Sequence, residues 1–251
     1  MATTTQRLAA LEAWRGAHEA EHAKNPLHSH DRPPIPAGAT FVKDFADGTL
    51  APFRPLTYPD AHIGQLGQQM TVYNRFSNPQ VTVHDGYADL RTSKRTDGLY
   101  DATLIGTSQD GNGPTFGYGT FSWACRANAA PNGWQSIWLY DTKTWTPVEI
   151  DFEVLENPSL TATVHPPNIE VYRAAPPADW ATAWHVFTID RRAGYIAFSI
   201  DGDEKTRTSG PQPSTPLAIL ADAKVGFPWG YPPNANTVPP WLQLAWVAYK
   251  P

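Results

Sequence analysis

Cysteine is all but missing. Cys125 is the only one in 251 residues, so no disulfide can form within the chain. In a strand-like run it reads as a small buried hydrophobe. Charge is scarce too: 17% of residues are charged against 41% hydrophobic, which excludes a disordered, self-repelling chain. A net charge of −5 and a pI near 5.9 offer no basic surface for phosphates, so nucleic acid is not an expected partner. No apolar run approaches the length of a membrane-spanning helix, and no membrane partner is expected. The start, Met1 to Arg7, lacks a basic stretch followed by an apolar one, so no signal peptide is expected. Repeats of fixed period are absent.

Good helix-forming sequence is confined to one stretch. Residues 4–24 are alanine-rich, with a thin apolar stripe of Leu8, Leu11 and Trp14. A heptad frame sets Leu8, Arg15 and His22 at one seam position and Leu11 and His18 at the other. So polar a helix is marginal alone. The expectation is therefore an N-terminal helix, residues 1–24, that serves homo-oligomerisation or attachment. A proline-rich linker, 25–39, follows and should be semi-rigid. It holds His28 and His30, which read as two solvated histidines; in a trimer, three such pairs could surround one metal ion.

What is abundant is proline, glycine and tryptophan: 25, 18 and 10 residues. From residue 40 the pattern turns all-β, with strands expected at 41–45, 70–73, 81–90, 102–105, 117–126, 134–140, 148–155, 160–164, 169–172, 185–190, 195–200, 216–221 and 242–249. Asp85-Gly86 and Asp201-Gly202 read as turns. Many short strands between turn signals indicate a sandwich or barrel.

One strand stands apart. In Val148-Glu149-Ile150-Asp151-Phe152-Glu153-Val154-Leu155 the acids share one face and Val148, Ile150, Phe152 and Val154 the other. At roughly 3.3 Å per residue, the Cα atoms of Glu149 and Glu153 lie about 13 Å apart, and side chains leaning together bring the carboxyls to about 5 Å. Retaining glycosidases need a separation of about 5–5.5 Å, inverting ones more. Asp151, between them, would push their pKa values apart. Taken alone, the pattern also fits a solvated acidic face.

The segment Glu149-Ile150-Asp151-Phe152-Glu153 resembles the signature of glycoside hydrolase family 16, in its form without a bulge. Other segments follow that family's order. Residues 116–126 look like its Tyr-Gly strand ending in arginine. Pro131-Asn132-Gly133-Trp134-Gln135-Ser136-Ile137-Trp138-Leu139 is similar to its Gly-x-Trp-x-x-x-Trp-Leu segment. Residues 184–202 look like its late hairpin, and 242–249 its last strand. The resemblance covers residues 40–251. Two features depart from it: Val148 stands where lichenases usually carry an aromatic or acidic residue, and 227–232 lack the usual glycine-rich tryptophan loop.

The resemblance implies a concanavalin-A-like β-jelly-roll sandwich and a retaining endo-acting glycosidase acting on a β-linked polysaccharide. Glu149 would be the nucleophile, Glu153 the acid/base and Asp151 the residue that orients Glu149. Trp134 and Trp138 share a face and would either stack on sugar rings or fill the core. Arg126 would bind sugar hydroxyls or pair with a cleft carboxylate, or else lie on the surface. His165 resembles a histidine on the strand after the acids and would line the leaving-group side or serve structure. Trp229 is a candidate cleft-edge aromatic, while Trp180 and Trp184 read as core or edge. The chemistry requires no metal, although relatives often hold a structural calcium on the far side of the sandwich. The alternative function is a carbohydrate-binding jelly-roll module that does not cleave. The short helix, linker and missing signal peptide together look like a bacteriophage tail component, which would place a depolymerase on a virion at the outer surface of bacteria.

Overall fold

The computed structural model describes residues 32–57, 73–76, 79–130, 132–144, 148–155, 159–165, 169–226 and 233–251. The expected helix, His28, His30, Trp229 and most of the expected strand 70–73 lie outside the described residues. Within them the strands are β1 (Phe41–Lys43), β2 (Arg54–Pro55), β3 (Asn74–Arg75), β4 (Gln80–His84), β5 (Tyr87–Arg91), β6 (Ser93–Lys94), β7 (Tyr100–Asp101), β8 (Thr103–Gly106) and β9 (Gly119–Ala127). They continue with β10 (Gly133–Tyr140), β11 (Glu149–Leu155), β12 (Ser159–His165), β13 (Ile169–Ala174), β14 (His185–Arg192), β15 (Tyr195–Ile200), β16 (Asp203–Ser209), β17 (Ala218–Val225) and β18 (Trp241–Lys250). The described residues contain no helix.

Two antiparallel sheets form the sandwich. The first runs β13-β12-β11-β10-β17-β8-β2 and holds the acid strand near its middle. The second runs β16-β15-β14-β9-β18-β5-β4, with β1 also paired to β18. The order of neighbours is far from the order in sequence, as in a jelly roll. The two expected turns are present: Asp85 and Gly86 both take positive φ between β4 and β5, and Asp201 and Gly202 do so between β15 and β16. That conformation matches the twist of a two-residue hairpin.

Alternation decides which side of each strand enters the core. Ile150, Phe152 and Val154 face the interior with Ile137 and Leu139 from β10 and Ile219 and Ala221 from β17. The second sheet supplies Phe121, Trp123 and Cys125 from β9 and Phe187 from β14. Phe152 ties the sheets together: its ring meets Phe187 at 5.2 Å and Phe198 at 5.1 Å, both edge-on. Such pairs add to the burial gain. Trp180 belongs to this core as well; its indole N–H donates to the Cys125 carbonyl at 3.2 Å.

The end of the proline-rich segment is held by the second sheet. The Trp246 indole donates to the Pro33 carbonyl at 2.7 Å, and the Thr40 amide donates to the Tyr249 carbonyl at 2.9 Å.

Candidate active site

Antiparallel register carries the alternation of β11 onto its neighbours. Glu149, Asp151 and Glu153 lie opposite Tyr140, Trp138 and Ser136 of β10, and opposite His165, Thr163 and Thr161 of β12. Residues directly opposite share a face. One further strand adds Ala218, Leu220, Asp222 and Lys224, since β17 pairs with β10 at Tyr140, Trp138, Ser136 and Trp134. The outer face of the first sheet thus collects three acids, two tryptophans, a tyrosine, a histidine and a buried Asp–Lys pair.

An apolar cluster borders the acids. Trp138, Tyr140, Ala218 and Leu220 pack with Leu56, Phe76, Ala102 and Leu104. Strand β3 is fixed there by Asn74, whose amide donates to the Val225 carbonyl at 2.8 Å and accepts from the Val225 amide at 2.9 Å. The cluster dries the Glu149 end of the site. Burial, and then the charge of Glu149, push the Tyr140 phenol up to about 12.

The carboxyls are crowded and poorly hydrated. Asp151 is 1% exposed, while both glutamates keep partial access to solvent. Burial is the main cause of raised pKa values for all three, and like charge adds to it. For the tightly coupled Glu149 and Asp151 the direction is upward. Glu153 rises to about 8, from burial first and the Asp151 charge second. Opposing these are Thr163 beside Asp151, the Trp134 indole, which donates to Glu153 Oε1 at 2.8 Å, and the charge of Lys224.

His165 Nε2 lies 3.5 Å from Asp151 Oδ2. Glu149, Asp151 and His165 each bring a ligand-type atom within 4.8 Å of the others. Among the described residues this is the only such side-chain set, and it lies on the acid-bearing sheet, not on the far side where the resemblance places a calcium.

The structure brings together Glu149, Asp151, Glu153, Trp134, Trp138 and His165. Trp134 and Trp138 are 9% and 8% exposed, and both belong to the acid-bearing face rather than the sandwich core. Arg126 is a correction. It sits on β9 in the second sheet, one residue out of phase with the core-facing Cys125 and Ala127, so it points away from the acids. There its guanidinium stacks 4.6 Å over Trp184 and donates to Gln243 at 2.7 Å. An even residue on a strand whose odd residues fill the core must leave by the opposite face.

Asp222 and Lys224 escaped the sequence reading. Lys224 Nζ donates to Asp222 Oδ1 at 2.6 Å and to Ser136 Oγ at 3.3 Å, and it lies 4.0 Å from the Trp134 ring centre. The expected strand 216–221 stopped one residue short of the pair. A signal was present: two opposite charges two residues apart, inside the otherwise apolar run Ala218–Val225.

Comparison with known families decides what this face belongs to. The family model described as "Glycosyl hydrolases family 16" matches residues 69–226, more than half of the chain. The chain belongs to glycosyl hydrolase family 16. Its fold is similar to the catalytic domain of an endo-1,3-β-glucanase (laminarinase) from Thermotoga petrophila, with a TM-score of 0.72 and 16% identity over 84% of this chain and 96% of that one. It is similar also to the Bacillus licheniformis β-glucanase, with a TM-score of 0.67 and 20% identity over 86% and 100%. A lichenase derived from a mouse hindgut metagenome gives 0.66 and 19% over 84% and 98%. At such identities the likeness establishes the jelly-roll fold. No match is found among curated protein sequences.

Proposed function

We propose that this family 16 member is an endo-acting glycosidase that cleaves a β-linked polysaccharide with retention of anomeric configuration. The observation that carries the reading is the unbulged run β11, which sets Glu149, Asp151 and Glu153 side by side on one partly exposed face, with a tryptophan donating to Glu153. Glu149 attacks the anomeric carbon and forms a glycosyl-enzyme ester. Glu153 gives its proton to the departing glycosidic oxygen, then takes one from the water that cleaves the ester. Asp151, between them on the strand, has the task of orienting Glu149. A raised pKa suits Glu153 to the first step, because it keeps the proton at neutral pH.

Three solved relatives carry β-glucanase or lichenase names, so β-1,3- and mixed-linkage glucans are the first substrates to test. Reducing-sugar release, with product chain lengths, separates this reading from a module that binds glycan without cleaving it. Glu149→Gln and Glu153→Gln should each abolish release while leaving the circular dichroism spectrum unchanged. Near-native activity in either variant would refute the role assigned to that residue. Proton NMR of the first product formed should show the β anomer; α product would refute retention.

A further inference from the structure

Four acids and one lysine share the buried floor of this face, and the double-displacement chemistry assigns no task to the lysine. We propose that Lys224 is a positioning residue for Glu153, acting through the Trp134 indole rather than by direct contact. The proposal rests on the reading of Glu153 as the acid/base.

The geometry is a chain of three contacts. Asp222 and Ser136 hold the Lys224 ammonium, at 2.6 and 3.3 Å. The ammonium lies 4.0 Å from the Trp134 ring centre. The Trp134 N–H donates to Glu153 Oε1 at 2.8 Å. Both charged residues of the pair are 2% exposed, so water screens little of this. A cation over an indole face draws on the ring's electrons. The ring N–H then becomes a stronger donor, and hydrogen bonds in series reinforce one another in a dry site. Indole offers a single donor and no acceptor. Glu153 Oε1 is therefore committed to Trp134, and Oε2 is left to carry the proton to the glycosidic oxygen. Lys224 also fixes the indole plane, and with it the Glu153 rotamer.

The other groups on this face do not replace that action. Asp151 and Glu149 sit on Glu153's own strand and oppose its ionisation. Asp222 does the same from β17. Thr161, opposite on β12, is neutral, and Arg173 beyond it on β13 is engaged with Glu170 at 2.5 Å. His165 lies at the Glu149 end.

The test needs no substrate, so it stands or falls apart from the glycosidase reading. The full chain is labelled with 13C at the glutamate carboxyls and titrated by NMR, with the Glu153 signal identified by its loss in Glu153→Gln. Lys224→Met leaves Asp222 buried without its cation and risks misfolding. The informative variant is therefore Asp222→Asn/Lys224→Met, which removes a neutral pair; the direct field of Lys224 at Glu153 exceeds that of Asp222, so part of any rise is direct. Loss of the polarised donor should raise the apparent pKa of Glu153 by about half a unit to one unit. Lys224→Arg should hold it near the native value. The same double change made on top of Trp134→Phe should give only the smaller, direct part of that rise. An unchanged Glu153 titration in the folded double variant would overturn the proposal. So would an equal rise when the double change is added to Trp134→Phe. Where glycan cleavage is measured, the alkaline limb of kcat/KM should move upward with the same titration.

Discussion

At the residue scale, the acids of β11 show a conflict between function and stability. Glu153 has a folded pKa of about 8, above the usual glutamate value. A carboxyl raised in the folded state binds more protons there than in the unfolded chain between the two pKa values. Stability therefore falls as pH climbs from the unfolded value toward 8. Glu153→Gln keeps the shape and the Trp134 contact without the ionisation, so it should melt higher than the native chain at pH 8 and close to it at pH 5. Thermal melts at the two pH values check this; an equal difference at both would contradict the sign. Activity should follow the same proton. The alkaline limb of the pH–rate profile should lie near 8, where Glu153 loses its acid form. Arg126, placed on the far sheet, gives the opposite expectation. Arg126→Ala should leave kcat/KM on a cleaved glucan unchanged while lowering the melting temperature, because the stack on Trp184 and the bond to Gln243 are lost.

At the scale of the element, β11 is held from both faces. Its acids would repel one another on a loose strand, and its apolar face supplies the restraint. Phe152→Ala removes the ring that meets Phe187 and Phe198 and should cost about 3–5 kcal/mol in urea unfolding. Strand β3 is short and pairs with β7 on one side. Its two residues are joined to the end of β17 by both bonds of Asn74 to Val225, and Asn74 is 1% exposed. Asn74→Ala strands a buried main-chain donor and acceptor and should cost about 1–3 kcal/mol. The loss should weaken activity as well, since Phe76 beside it helps close the apolar border of the site. The main strands were legible from alternation and turn residues: β9, β10, β11 and β12 lie within two residues of their expected bounds. Strand β16 was not, because Asp203–Ser209 is mostly exposed and carries no apolar period. The two-residue strands β2, β3, β6 and β7 were not, because a period needs more residues than they have.

At the scale of the molecule, two sheets share one core, and the three acids of β11 are left to the outer face of one of them. Residues 33–40 are tied to the opposite sheet through Trp246 and Tyr249. A truncation that tests the N-terminal segment should therefore begin after residue 31 and spare Pro33. If residues 1–24 join copies of the chain, light scattering should give a smaller particle for the truncated protein. An unchanged mass would remove self-association.

Sequence alone determined the class of fold and, by resemblance of its motifs, the family; it also put Glu149, Asp151 and Glu153 on one face of one strand, because a period of two is a local property that survives whatever the rest of the chain does. It determined also that Trp134 and Trp138 share a side. Only the tertiary structure decided which sheet each side faces. That sent Arg126 to the far surface and brought Asp222 and Lys224, more than sixty residues away, onto the face of Glu153, with only β10 between. Strand pairing between distant segments depends on how whole faces bury together, and no window of sequence contains that information.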